Sequence, residues 1–199
     1  MSLLRHASKI SITTLLSRIT GFMRDSIFAM SFGTNEELDI FLLAFKVPNF
    51  LRRIFAEGAC GQAFIPVLAE YNQDDLSSKQ LNFLNALFTL LTMTVVVFAI
   101  IIWCFPSMLV KIYAAGYTPG SERYELALKL LRYTFPYIIC IAWAAFFGAA
   151  LQAKRQFLHA AINPVILNVV LIAVALSISW GYIDKLWLAW AVPVAGLLQ

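Results

Sequence analysis

The sequence predicts an all-α polytopic membrane protein, and three observations carry that prediction. Of its 199 residues, 61% are hydrophobic and only 13% are charged, with a mean hydropathy of +0.78; ordinary soluble domains are about 45–50% apolar and about 25% charged. Long apolar segments of helical length recur along the chain, separated by short stretches rich in turn residues. The first two of these segments carry charges in their interior, where a charge at the bilayer centre costs about 2.5–3.5 kcal/mol and usually marks a function.

Residues 7–32 form the first helix candidate. Arg18 and Asp25 are seven apart and share a face, whereas Arg24 points elsewhere. Gly21 falls midway, at a place where the helix could bend. Gly33-Thr34-Asn35 supplies a turn, and Glu36-Glu37 can cap the positive end of the second helix, residues 37–71. At 1.5 Å per residue that helix would reach ~50 Å, beyond a hydrocarbon core of ~30 Å, so it must bend, tilt or protrude. Pro48 and Pro66 interrupt it, with Gly58 and Gly61 between them. Asp39, Lys46, Arg53 and Glu57 follow at spacings that share one face, while Arg52 projects differently.

Residues 72–80 are a polar loop. Residues 81–105 read as a third span without a charge, closed by Pro106, and residues 111–122 as a loop with Gly116, Pro119 and Gly120. A fourth span covers 124–152, with Pro136 as a kink and Ala144, Ala145, Gly148 and Ala149 as small residues for close helix packing. The fifth covers 157–180, with Asn163-Pro164 and Asn168 inside it. Residues 186–199 begin a sixth that is still apolar at the last residue, short of the ~20 needed to cross; the expectation is a piece of a longer chain. Loop charges favour a cytoplasmic N-terminus. Arg5, Lys9, Lys79, Lys154 and Arg155 fall on the inner side, against Lys111, Arg123 and Lys185 outside. Trp103, Trp180 and Trp187 near span ends fit an interfacial belt.

Several function classes drop out. The net charge of +4 is dispersed, so no nucleic-acid surface is expected. Cys60, Cys104 and Cys140 lie far apart in apolar segments and read as buried free thiols, neither a disulfide framework nor a zinc site. His6 and His159 form no metal-ligand pair, and no Walker A loop, dinucleotide fingerprint or Gly-x-Ser-x-Gly is present. No catalytic residue, metal or cofactor is expected. The N-terminal stretch lacks an unbroken apolar core and is read as retained.

What remains is the charge of the first two helices: Arg18, Arg24, Asp25, Asp39, Lys46, Arg52, Arg53 and Glu57. Facing lipid, they would cost ~20–28 kcal/mol if insertion values added, against whole-domain stabilities of ~5–15 kcal/mol. They must pair, reach a surface or line a wet cavity. Three acids cannot neutralise five bases, and an excess of guanidinium suits a phosphate or pyrophosphate, whose oxygens match its planar fork. Arg18, Arg24 and Arg52 are therefore the candidate substrate-binding residues, with Asp25, Asp39, Lys46, Arg53 and Glu57 as supporting cavity charges. The competing structural role is ion pairing that locks the two helices together.

At Ser17–Asp25, SRITGFMRD, and at Ala44–Tyr71, AFKVPNFLRRIFAEGACGQAFIPVLAEY, the chain closely resembles the MurJ/MviN family of bacterial lipid II flippases, within the MOP transporter superfamily. The resemblance implies that residues 1–199 are a six-helix N-terminal lobe with its sixth helix truncated and the C-terminal lobe absent. It implies alternating access, carrying lipid II, an undecaprenyl-pyrophosphate-linked disaccharide pentapeptide, across the cytoplasmic membrane for peptidoglycan synthesis. Family arginines match Arg18, Arg24 and Arg52 by motif, and Asp25, Asp39 and Glu57 match acidic positions. The implied partners are lipid II, membrane lipids and the C-terminal lobe. The alternatives are an exporter of another polyprenyl-linked oligosaccharide or small molecule, a metal-dependent enzyme on a polyprenyl phosphate, and a non-transporting scaffold.

Overall fold

The computed structural model describes residues 2–33, 35–54, 78–153, 156 and 158–199, and all the regular structure among them is helical. The helices are α1 (Ser2–Phe32), α2 (Glu36–Arg53), α3 (Ser78–Cys104), α4 (Ser107–Tyr113), α5 (Glu122–Thr134), α6 (Tyr137–Ala153), α7 (Leu158–Ser179) and α8 (Trp187–Leu198). Three stretches are long and apolar enough to cross a membrane: Leu81–Cys104, Glu122–Gln152 and Ile162–Ser179. Trp187–Leu198 is a shorter apolar helix. The chain is a multi-pass helical membrane protein.

The helix ends follow local chemistry. Gly33, at φ +56°, makes the turn that ends α1. Asn35, in extended backbone, accepts from the Glu37 N–H at 2.9 Å and is the N-cap of α2. Glu36 and Glu37 therefore occupy the first turn itself, where their charge meets the positive helix end. Ser121 caps α5 in the same way, accepting from the Tyr124 N–H at 3.2 Å.

Four sequence expectations shift. α1 starts at Ser2, ahead of residue 7, and runs unbroken through Gly21. α2 stays helical across the buried Pro48 as far as Arg53, with Ile54 as its C-cap; residues 55–71 of the expected second helix lie outside the described residues. The fourth span stands as one stretch, Glu122–Gln152, but the expected kink at Pro136 divides it into two helices, because Pro136 has no N–H to donate and the chain closes tightly there, with Ile138 N–H donating to Phe135 O at 3.0 Å. The stretch beyond Pro106, expected as a loop from residue 111, holds α4. Proline's fixed φ suits a helix start.

The core sits where α5, α6 and α8 meet. Leu131, Phe135, Tyr137, Ile138 and Ile141 are almost wholly buried there, against Ala189, Val192 and Ala195. Small residues on α6 (Ala142, Ala145, Ala149) and α8 let the helices approach closely, as membrane bundles require. Ala145, Gly148 and Ala149 of the expected small-residue stripe are buried, and Ala144 is half-buried. α2 packs on α5 and α6, α3 on α6, and α1 lies along α7, which in turn contacts α6 and α8. Hydroxyls in the apolar helices bond back to the preceding turn: Thr89 to Asn85 O and Thr94 to Leu90 O, both at 2.8 Å. No donor is left open to lipid at these positions. Trp103, Trp180 and Trp187 are exposed at or near helix ends.

Candidate functional site

α1 and α2 run antiparallel, and two contacts fix their register. Phe28 meets Phe41 edge-on at 6.1 Å, and the Arg24 guanidinium lies 5.9 Å from the centre of the Phe45 ring. Four residues back along α1 correspond to four forward along α2. Arg18 is six residues further back on α1, and Arg52 is seven further along α2. At 1.5 Å per residue these are rises of about 9 Å from Arg24 along α1 and about 10.5 Å from Phe45 along α2. Phe45 and Arg52, two turns apart, belong to the same face of α2. Arg18 and Arg52 thus each lie about two turns from the Arg24–Phe45 contact along their own helix.

They differ in how firmly they are held. Arg24 is mostly buried, its side chain 19% exposed, and it makes three hydrogen bonds. Its Nε and Nη2 donate to Asp25 Oδ1 at 3.0 and 2.7 Å, and its Nη1 donates to Asn168 Oδ1 of α7 at 3.0 Å. A guanidinium has five N–H donors, so two remain unused among the described residues. Arg52 is half-buried and donates from Nε to Asn49 Oδ1 at 3.1 Å. Arg18 is exposed and has no hydrogen bond or ion pair among the described residues. The series runs from a free cation to one anchored on three of its five donors.

Asp25 is exposed on the same face of α1 as Arg18, as the seven-residue spacing requires, while Arg24 turns in toward α7. Asp39 and Lys46 are exposed on one face of α2, also seven apart, with no ion pair among the described residues. Arg53 is the last residue of α2, and its side chain, like Glu57 altogether, lies outside the described residues. No ion pair between α1 and α2 occurs among the described residues; the two helices meet there through aromatic rings and the Arg24–Phe45 contact. The interhelix ion pairs are elsewhere, at the other end of α2: Glu36 with Arg123 of α5, and Glu37 with Lys185 ahead of α8.

Sequence reasoning singled out the charges and passed over the residues that orient them. Asn49, Phe45 and Asn168 hold two of the three arginines. Asn49 stands three residues before Arg52, a spacing that brings side chains together on a helix. Asn168 was visible as an amide in an apolar helix, but its partner is 144 residues away. Three cavities, of about 280, 320 and 510 Å³, open elsewhere, and Arg18, Arg24 and Arg52 line none of them. Arg18 is open to the surroundings, whereas Arg24 and Arg52 are partly buried. Among the described residues, no group of His, Cys, Asp and Glu is arranged to hold a metal ion.

The comparisons with known proteins agree with one another. The family model described as lipid II flippase MurJ matches residues 28–199. A probable lipid II flippase MurJ of Buchnera aphidicola subsp. Baizongia pistaciae is 38% identical over the whole chain, and the lipid II flippase MurJ of Burkholderia cenocepacia is 36% identical. The chain spans 39% of the length of each. A solved structure titled lipid II flippase MurJ, inward closed conformation, superposes on 95% of the chain with a TM-score of 0.81 at 30% identity, and the chain spans 39% of it.

Proposed function

Because the chain belongs to the MurJ family of lipid II flippases, we propose that it forms the N-terminal lobe of such a flippase in the bacterial cytoplasmic membrane and binds the pyrophosphate of lipid II. The observation that carries this reading is the state of Arg24. It is held on one side by Asp25 and on the other by Asn168, with two N–H donors left over among the described residues. A guanidinium arranged in this way has its orientation set before the ligand arrives, so less freedom is lost on binding.

In this reading Arg18 and Arg52 take the second phosphate. Asp39, Lys46, Arg53 and Glu57 set the potential of the remaining cavity wall. Asp25 keeps Arg24 from binding the anion so tightly that it cannot be released. The headgroup crosses a region where an unpaired anion would be expensive, and cationic walls lower that cost while the polyprenyl tail stays in the bilayer. The open face that carries Arg18, Asp25, Asp39 and Lys46 would meet the C-terminal lobe, and rocking of the two lobes would expose the site to each leaflet in turn. The N-terminus is cytoplasmic, and translocation makes and breaks no covalent bond.

The test is lipid II binding by native mass spectrometry on full-length protein, comparing wild type with Arg18→Ala, Arg24→Ala and Arg52→Ala, each shown to be monodisperse. Selective weakening supports the reading. If all three variants bind like wild type, the arginines do not hold the headgroup.

A further inference from the structure

Among the described residues the buried polar side chains are Thr13, Thr20, Thr134 and Asn168. A buried amide is costly unless its hydrogen bonds are made. Thr20 and Thr134 bond to carbonyls of their own helix, Leu16 O at 2.9 Å and Leu131 O at 3.3 Å. Asn168, 7% exposed on α7, turns every one of its recorded bonds to α1. Its Oδ1 accepts from Arg24 Nη1 at 3.0 Å, and its Nδ2 donates to Thr20 Oγ1 at 3.3 Å and to Ser17 O at 3.4 Å.

The two ends of this amide are not interchangeable. Arginine only donates, and a backbone carbonyl only accepts. A leucine would meet neither demand, and an aspartate would present an oxygen to the Ser17 carbonyl. The amide lies directly against α1 at Gly21, where a Cβ would stand 3.5 Å from Asn168 Nδ2, at ordinary van der Waals contact. The contact has no role in the helix geometry of α7 itself, and it fixes the one edge of Arg24 that its neighbour Asp25 does not.

We infer that Asn168 is a positioning residue for Arg24, holding the guanidinium so that its two unused donors face the site. The inference rests on the reading of Arg24 as a pyrophosphate ligand. Asn168 does not touch the substrate; it acts through Arg24, by removing rotational freedom that binding would otherwise have to remove.

The experiment is a double-mutant cycle on full-length protein, reading lipid II affinity and thermal stability together. Asn168→Leu is expected to weaken binding about tenfold, equivalent to ~1.4 kcal/mol. Asn168→Asp, close in volume, is expected to weaken it at least as much, because a carboxylate on Arg24 competes with the phosphate. In an Arg24→Ala background neither change should weaken binding further. If the Asn168 variants bind like wild type while Arg24→Ala does not, the inference falls and the reading of Arg24 stands. If they lower affinity by the same factor in both backgrounds, Asn168 is only structural and the inference is overturned. If Arg24→Ala itself binds like wild type, both fall. Should Asn168→Leu fail to fold, the isosteric Asn168→Asp decides alone.

Discussion

Gly196 of α8 lies so close to Tyr137 of α6 that a Cβ on the glycine would stand 2.7 Å from the tyrosine Cδ2, and 2.8 Å from Cys140 Cβ. Tyr137 is wholly buried, and its hydroxyl donates to Gln199 Oε1 at 3.2 Å, so the ring is held at both ends. Gly196→Ala must therefore push α8 away from the core. Overpacking of this kind costs about 1–3 kcal/mol. The expected result is a lower midpoint for loss of the monodisperse peak on heating in detergent. An unchanged midpoint would mean that the two helices slide apart freely.

The ties at the start of α2 should contribute much less. Glu36–Arg123 and Glu37–Lys185 are each about half or more exposed, and exposed pairs give ~0.2–1 kcal/mol. Arg123→Glu is expected to lower stability slightly, and Glu36→Arg combined with it to restore it. The restoration should shrink at high salt, where exposed charges are screened. A cycle on the thermal midpoint at two salt concentrations checks this. A loss that the reversed pair does not recover would assign Arg123 a packing role instead.

How much of this was legible beforehand depends on distance along the chain. The phase of Arg18, Asp25 and Arg24 on α1 follows from three residues and a 3.6-residue repeat, and the structure keeps it. The break at Pro136 follows from a missing N–H, though not its size, since one proline can bend a helix or divide it. α4 is seven residues long, too short for a periodic pattern to declare itself. The pairing of Asn168 with Arg24 is set by how α7 lies against α1. Nothing in either segment encodes that partner locally. The charges of the site were therefore readable, and the side chains that aim them were not.

Cys104 offers a check on orientation. Against the expectation of a buried thiol, it is exposed at the end of α3, beside the exposed Trp103, and Cys140 is only half-buried within α6. With a cytoplasmic N-terminus, as proposed, the third span would end on the outer side and Cys104 would face the periplasm. In a full-length variant in which Cys104 is the one cysteine kept, a membrane-impermeant maleimide added to intact spheroplasts should label the protein, and Cys104→Ser should abolish the label. Labelling that appears only after the membrane is opened would reverse the assigned orientation.

The anchoring of Arg24 and the freedom of Arg18 predict different tolerance of lysine. Arg24 spans Asp25 and Asn168 with a planar group and, among the described residues, still has two donors to spare. Lysine has three donors on one compact nitrogen, and satisfying the same two partners would leave it about one. Arg24→Lys should thus lose lipid II affinity nearly as far as Arg24→Ala, about tenfold or more for charge-assisted bonds of ~1.5–3 kcal/mol. Arg18, with no partner among the described residues, has only its charge and reach to lose, so Arg18→Lys should stay within a few-fold of wild type. Affinities of Arg24→Ala, Arg24→Lys, Arg18→Ala and Arg18→Lys, measured together at one salt concentration, compare the two positions directly. Equal losses at both would show that planarity matters wherever the pyrophosphate is held, and that the difference in anchoring between the two arginines does not govern binding.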